Sequence, residues 1–328
     1  MPPCLQHYAG DLVATIPAGM TLAETNLELA RGGQWLPLDP PYPDRATIGA
    51  IVGTNASGPR RHKYGAPRDL IIGIEVVLAD GRVVKAGGRV VKNVAGYDLS
   101  RLFCGAHGSL GTIRSATFKL SPIAAASQTV VATLPRLERA LELAALIAAE
   151  PLTPSAIEVA APGPRLLVRF ETTALAAAHM ASRVGALLES HGASIEMAQS
   201  EREHAVWQEH DDRVWGEPGT IVKVSTLPSE LSKVVAVLEQ SGDAAGWSLA
   251  GRAAVGVLVV RLTGDPALTV ATIKSLRQAA GRAGHVTLLE ASDDIRAATV
   301  EPIEDGLHAL MAAVKARFDP QGQLPALP

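Results

Sequence analysis

Cysteine is almost absent from this 328-residue chain: Cys4 and Cys104 are the only two. That number supplies no disulfide framework, no zinc site and no iron–sulfur ligand set, and it points to a reducing compartment. Aromatic residues make up 4% of the sequence, which leaves little for stacking nucleic-acid bases. The net charge is −3, and the one dense basic group is Arg60-Arg61-His62-Lys63. Such a balance carries no footprint for nucleic acid or an anionic membrane, and the basic group reads as a solvated loop. No apolar run approaches the roughly 20 residues that span a bilayer, so direct membrane insertion is not expected. The opening Met-Pro-Pro-Cys brings neither a basic n-region nor an apolar h-region. The expectation is a cytoplasmic protein that meets a membrane only through partners. Familiar motifs are missing too: no Gly-Lys-Ser/Thr follows the glycines, no G-x-G-x-x-G opens a helix, and neither G-x-S-x-G nor H-E-x-x-H occurs.

What is there is a hydrophobic content of 47% and a charged content of 19%, enough for two ordinary domains with real cores. Thr47–Pro122 carries most of the information. Glycines fall at 49, 53, 58 and 65, then at 96, 105, 108 and 111. Between the clusters, IEVVLA and RVVKA flank Asp80-Gly81, the pattern of a hairpin with a two-residue turn. Glycines beside short strands let backbone N–H groups approach a ligand without a Cβ in the way. That suits a large anionic cofactor lying across loops. Upstream, Asp11–Ile16 reads as a strand and Thr21 as the N-cap of a helix through Ala30, closed by Arg31-Gly32-Gly33. A short turn of helix is expected near Asp98–Phe103 and a strand over Thr112–Leu120.

Beyond Pro122 glycine thins and alanine rises. Strand and helix patterns follow as β-α-β-β-α-β, first over Thr129–Met197 and then again over Ile221–Glu290. Two such split βαβ modules in series can join their sheets into one antiparallel platform with helices on one face. Between them lies a charged helix with Trp207 and Trp215. It reads as a solvated face with the tryptophans packed on the sheet. His204 and His210 are six apart on it and do not share a face at metal-binding spacing. A last helix, Gly306–Phe318, leads into a proline-rich tail.

The strings GGRVVKNVAGYDLSRL, GAHGSLGTIRSATFKLSP, SGPRR at Ser57–Arg61 and GAPRD at Gly65–Asp69 resemble the FAD-linked oxidases of the vanillyl-alcohol-oxidase superfamily. They look most like the FAD-binding subunit of bacterial glycolate oxidase. The resemblance implies an α+β protein: a flavin-binding domain over 1–122, then a ferredoxin-like double cap with a C-terminal helix and tail over 123–328. It implies FAD as cofactor and contacts from Thr47, Ile48, Gly49, Ala50, Asn55, Ala56, Ser57 and Gly58. A second flavin segment would comprise Gly108, Gly111, Thr112 and Ile113. Lys92 would stabilise a reduced flavin and Tyr97 would wall its pocket, or both fix the loop. His107 is a proton-transfer candidate or a simple loop residue.

Three departures accompany the resemblance. The family's pyrophosphate-binding glycine loop precedes the region where this sequence starts, so a truncated FAD-binding domain and weak FAD binding are expected. Relatives carry an H-x-G-D-G-N-like motif in the cap, where this chain has Ala250-Gly251-Arg252-Ala253-Ala254-Val255-Gly256, with no proton acceptor or metal ligand. No catalytic residue is therefore assigned, and no metal site. The family's FDPxGxLNPG ending becomes FDPQGQLPALP. The implied function is an accessory FAD-binding subunit of a glycolate oxidase, partnered by a second FAD-linked oxidase subunit and an iron–sulfur subunit. The alternatives are a flavin-less scaffold subunit of the same complex and an independent FAD-dependent hydroxy-acid oxidoreductase.

Overall fold

The computed structural model describes residues 4–89, 98–242, 246–300 and 305–327. The chain divides into two compact units, Met1–Ile123 with Pro302–Pro328, and Ala124–Glu301.

In the first unit, β1 (Gln6–Tyr8) and β2 (Val13–Pro17) pair antiparallel. Thr21 starts α1 (Leu22–Ala30) with a capping box. Its hydroxyl accepts from the Glu24 amide at 3.2 Å, and the Glu24 carboxylate accepts from the Thr21 amide at 2.9 Å, so two otherwise orphaned donors are satisfied reciprocally. Then come β3 (Gln34–Trp35), α2 (Ile48–Thr54), and the single turns α3 (Arg61–Tyr64) and α4 (Pro67–Leu70). The hairpin is β4 (Ile71–Val77) and β5 (Val83–Gly87). Its turn is wider than the Asp80-Gly81 pair suggested, because the Leu78 amide donates to the Arg82 carbonyl at 2.9 Å. Gly81, at φ +81°, takes the left-handed position that closes such a three-residue loop. After α5 (Leu99–Phe103), β6 (Thr112–Lys119) and β7 (Ser121–Pro122) complete an antiparallel sheet of order β1-β2-β6-β4-β5 and a small β3-β7 pair. Ile16, Leu22, Leu29, Ile51, Val76 and Phe118 meet in its core.

The second unit runs β8 (Ala126–Thr133), α6 (Leu137–Ala149), β9 (Ala156–Ala161), β10 (Arg165–Thr172), α7 (Ala174–Ser190), β11 (Ser194–Ala198) and α8 (Ser200–Trp215). It continues with β12 (Thr220–Ser225), α9 (Leu231–Ser241), β13 (Trp247–Arg252), β14 (Val257–Leu262), α10 (Pro266–Ala280), β15 (His285–Glu290) and α11 (Asp293–Ala298). The eight strands form one antiparallel sheet, β11-β8-β10-β9-β13-β14-β12-β15. Each half is a split βαβ module, and they join where β9 pairs with β13 at Ala160↔Ala250. Helices α6, α7, α9 and α10 cover one face, as their spacing requires: α7 buries Ala177, Ala181, Val184 and Leu188.

Two expectations change here. The sheet does not carry all its helices on one face, because α8 lies on the other, with Val206 and Trp207 against Val131, Ala156 and Leu167. The last helix, α12 (Asp305–Phe318), groups with the first unit rather than with the cap as the 123–328 boundary had it. Phe318 meets the Phe103 ring edge-on at 5.5 Å, and burying two rings against each other is worth more than leaving either on a solvated tail.

Candidate functional site

Helix α2 is a TIGAIVGT segment that sequence alone showed only as a glycine-rich contact surface. Thr47 caps it, its hydroxyl accepting from the Ala50 amide at 3.3 Å. Ile48, Ile51 and Val52 are buried, which leaves small residues on the other face: Ala50 and Thr54 are exposed and Gly49 is half-buried. The reading that glycine frees backbone amides here is corrected by the geometry. The Ile48 and Gly49 amides donate to the Met20 and Ala18 carbonyls at 2.8 Å, and the Ile51 amide to the Thr47 carbonyl at 2.9 Å. A molecule crossing α2 would meet methyl groups and Cα atoms, since the amides are already bonded.

The far end of α2 is built into the second glycine loop. Asn55, left-handed at φ +51°, ends the helix. Its side-chain oxygen accepts from the Arg68 amide at 3.2 Å and from the Cys104 thiol at 3.4 Å. The Gly105 and His107 amides donate to the Val52 and Gly53 carbonyls at 2.9 and 2.8 Å, satisfying acceptors that a helix end leaves open. Gly105, His107 and Gly108 all have positive φ, so the loop curls tightly and then enters β6. Among the described residues the Gly108, Leu110 and Gly111 amides have no acceptor. These are the donors a ligand could use. Burial pushes the Cys104 thiol up to about 12, against the pull of Arg68, so it stays protonated and unreactive at neutral pH.

The expected contact residues thus fall into two sets. Thr47, Ile48, Gly49, Ala50 and Asn55 form or flank α2, and Gly108, Gly111, Thr112 and Ile113 run from the loop into β6; the amide bonds from Gly105 and His107 join the two segments. Ala56, Ser57 and Gly58 follow α2, but Gly58 is a packing glycine. A Cβ there would sit 1.7 Å from the Asp39 carbonyl oxygen. Gly111 is another, with Val76 only 2.4 Å from where its Cβ would be. His107 is exposed. Lys92, Asn93 and Tyr97 lie outside the described residues. Asp98 caps α5, accepting from the Arg101 amide at 3.3 Å.

Residues 4–87 match the family model described as FAD binding domain. Glycolate oxidase subunit GlcD of Bacillus subtilis (strain 168) is 36% identical over 148 residues, which are 45% of this chain and 32% of that protein. Glycolate oxidase subunit GlcE of Escherichia coli (strain K12) is 41% identical over 113 residues, 34% of this chain and 32% of that protein. The matched stretch therefore spans about a third of these relatives. Among solved structures, an alkyldihydroxyacetonephosphate synthase superposes with a TM-score of 0.71 at 16% identity, over 98% of this chain and 66% of that one. Likeness at that identity shows the fold alone, a mixed helix-and-sheet chain as expected from sequence.

The features that suit FAD are the small outward face of α2 and the open Gly108, Leu110 and Gly111 amides of the 105–111 loop. The α2 amides contribute nothing to that fit. Sequence reasoning missed Lys315, which donates to the Ser109 carbonyl at 2.8 Å inside this loop. Its signal was a lysine four residues before the aspartate of Phe-Asp-Pro, the spacing at which helical side chains meet.

The cap holds a second polar arrangement. Arg252, from the stretch where relatives carry H-x-G-D-G-N, places Nε 3.2 Å from Glu158 Oε1, and His210 Nε2 lies 3.2 Å from Glu158 Oε2. The stretch itself has no acid or base, yet β9 and α8 bring one of each to it. Glu158, His210 and Arg252 are 1%, 3% and 7% exposed, so all three are enclosed within the second unit. Beside them Arg169 pairs with Glu203 at 3.3 Å and lies 3.9 Å over the Trp207 ring. The charged helix was read as solvated; its Glu203 and His210 are instead buried.

Proposed function

We propose that this chain is the FAD-binding subunit of an oxidase acting on 2-hydroxy acids of the glycolate class. It would work with a second FAD-linked oxidase subunit and an iron–sulfur subunit. The observation that carries the reading is the joined surface of α2 and the 105–111 loop, inside a unit matched as an FAD binding domain and similar to glycolate oxidase subunits. Bound FAD would supply hydride acceptance and onward electron transfer, chemistry that belongs to the cofactor. The chain's own part is to seat a planar ring on small residues and to offer the Gly108, Leu110 and Gly111 amides to negative oxygens. With Arg252 enclosed by Glu158, substrate deprotonation is assigned to a partner subunit. Among the described residues no helix is long and apolar enough to cross a membrane.

Titration of the full chain with FAD, followed by flavin fluorescence, tests the reading. Saturable quenching at one site supports it, and its absence at millimolar flavin refutes it. The bonded amides of α2 favour a second reading, a scaffold subunit that has given up flavin. That reading requires no quenching together with co-elution with the other two subunits.

A further inference from the structure

Lys315, near the end of α12, is a hub. Its ammonium donates to the Asp319 carboxylate at 2.6 Å, the Ser109 carbonyl at 2.8 Å and the Pro325 carbonyl at 3.0 Å, with the Leu324 carbonyl at 3.3 Å. An ammonium has three protons, so all are used and one is shared. Asp319 is equally committed. It accepts from the Gln323 amide at Oδ1 and the Leu324 amide at Oδ2, each at 2.8 Å. The tail after α12 is thereby folded into a hook around one carboxylate, and one lysine fastens that hook to the glycine loop. Phe318 against Phe103 anchors the same junction, and a methyl added at Gly108 would meet the Pro325 ring at 3.9 Å.

Ser109, which Lys315 holds, sits between Gly108 and Leu110, two of the three loop residues whose amides are open. The Ser109 carbonyl and the Leu110 N–H belong to one peptide plane, so fixing the carbonyl fixes the direction of the Leu110 N–H bond. Without the ammonium the 105–108 part keeps its Gly105 and His107 bonds to α2, but the Ser109–Gly111 part loses its one side-chain fastening, next to a His107 held at a strained positive φ. We propose that Lys315 and Asp319 are positioning residues that hold the 105–111 loop in its flavin-binding form, making FAD retention depend on a docked C-terminal hook. The proposal rests on the reading of this loop as a flavin contact.

The test uses the full chain as wild type, Lys315→Met, Lys315→Arg and Asp319→Asn. Amide hydrogen exchange of Gly105, His107 and Ser109 is measured without flavin, and FAD affinity by fluorescence quenching. Lys315→Met should speed exchange at these three amides at least tenfold and weaken FAD at least tenfold, while exchange in β8 stays as in wild type. Lys315→Arg should recover part of both effects. Asp319→Asn should shift both in the same direction, and it serves where Lys315→Met fails to fold. Faster exchange with unchanged FAD affinity would make the pair merely structural and overturn the proposal, as would unchanged exchange in a folded Lys315→Met. A wild type that binds no FAD removes the flavin reading and the proposal with it. A wild type and variant that bind equally remove the proposal alone.

Discussion

His210 Nε2 lies 3.2 Å from Glu158 Oε2, both side chains almost fully enclosed between α8 and the sheet. Glu158 meets Arg252 with its other oxygen. Removing one member of a buried charge pair leaves the other desolvated and unmatched, at a cost of about 3–5 kcal/mol. Glu158→Ala should lower stability by that order in chemical denaturation. The double change Glu158→Met with Arg252→Leu should cost clearly less than the single one, since apolar replacement of the whole pair removes the stranded charge. A double variant as damaged as Glu158→Ala would show that a stranded charge is not what the single change costs.

Packing glycines differ from conformational ones in what an added methyl group would meet. Gly111→Ala would put a Cβ against Val76 at 2.4 Å and the Val77 carbonyl at 3.1 Å, in a tightly paired stretch of β4 and β6. Overpacking of this kind costs about 1–3 kcal/mol. Gly81→Ala meets nothing within 4 Å but must hold φ +81°, a penalty of roughly 1–2 kcal/mol. Thermal melts should show both destabilised, with only Gly111→Ala rescued by Val76→Ala. Rescue of neither would mean the sheet contact has been misjudged.

The second unit was legible because its modules repeat. Every strand and helix from β8 to β15 sits within a few residues of its sequence pattern, and the βαβ order alone implied the joined sheet. What sequence could not supply was the choice of face. Helix α8 reads as charged, yet its i, i+3, i+4, i+7 stripe of Glu203, Val206, Trp207 and His210 is buried, because Arg169 and Glu158 on the sheet offer partners from distant strands. Helix α2 was missed for a different reason. Three of its seven residues are glycine or threonine, poor helix formers, and it persists through the Thr47 cap and burial of Ile48, Ile51 and Val52. The return of α12 to the first unit rests on Phe318 and Lys315, contacts that no local pattern reveals.

Acid should release the C-terminal hook. The Lys315 ammonium and the Leu324 and Gln323 amides hold the Asp319 carboxyl down at about 2, below the ordinary aspartate value near 4. A depressed folded value means the contribution is full above the ordinary value and is lost as pH falls toward the folded one. Hydrogen exchange at the Gln323 and Leu324 amides should therefore quicken, beyond the intrinsic pH trend, between about pH 4 and pH 2. Asp319→Asn should remove that pH dependence. Persistence of the same acid step in Asp319→Asn would assign it to another group.

Ala50 offers the sharpest separation of folding from cofactor binding. It is exposed on the outward face of α2, its amide bonded to Thr47 and its methyl free of the core. A leucine there suits the helix nearly as well as alanine and displaces nothing buried, so the melting temperature of Ala50→Leu should stay within a few degrees of wild type. A seated flavin needs that face flat. The added side chain should weaken FAD at least tenfold by fluorescence titration, an effect of about 1.4 kcal/mol. Leu27→Ala, on the exposed side of α1, is the control and should leave affinity unchanged. Wild-type affinity in a folded Ala50→Leu would move the cofactor away from α2 and leave the 105–111 loop without its partner surface.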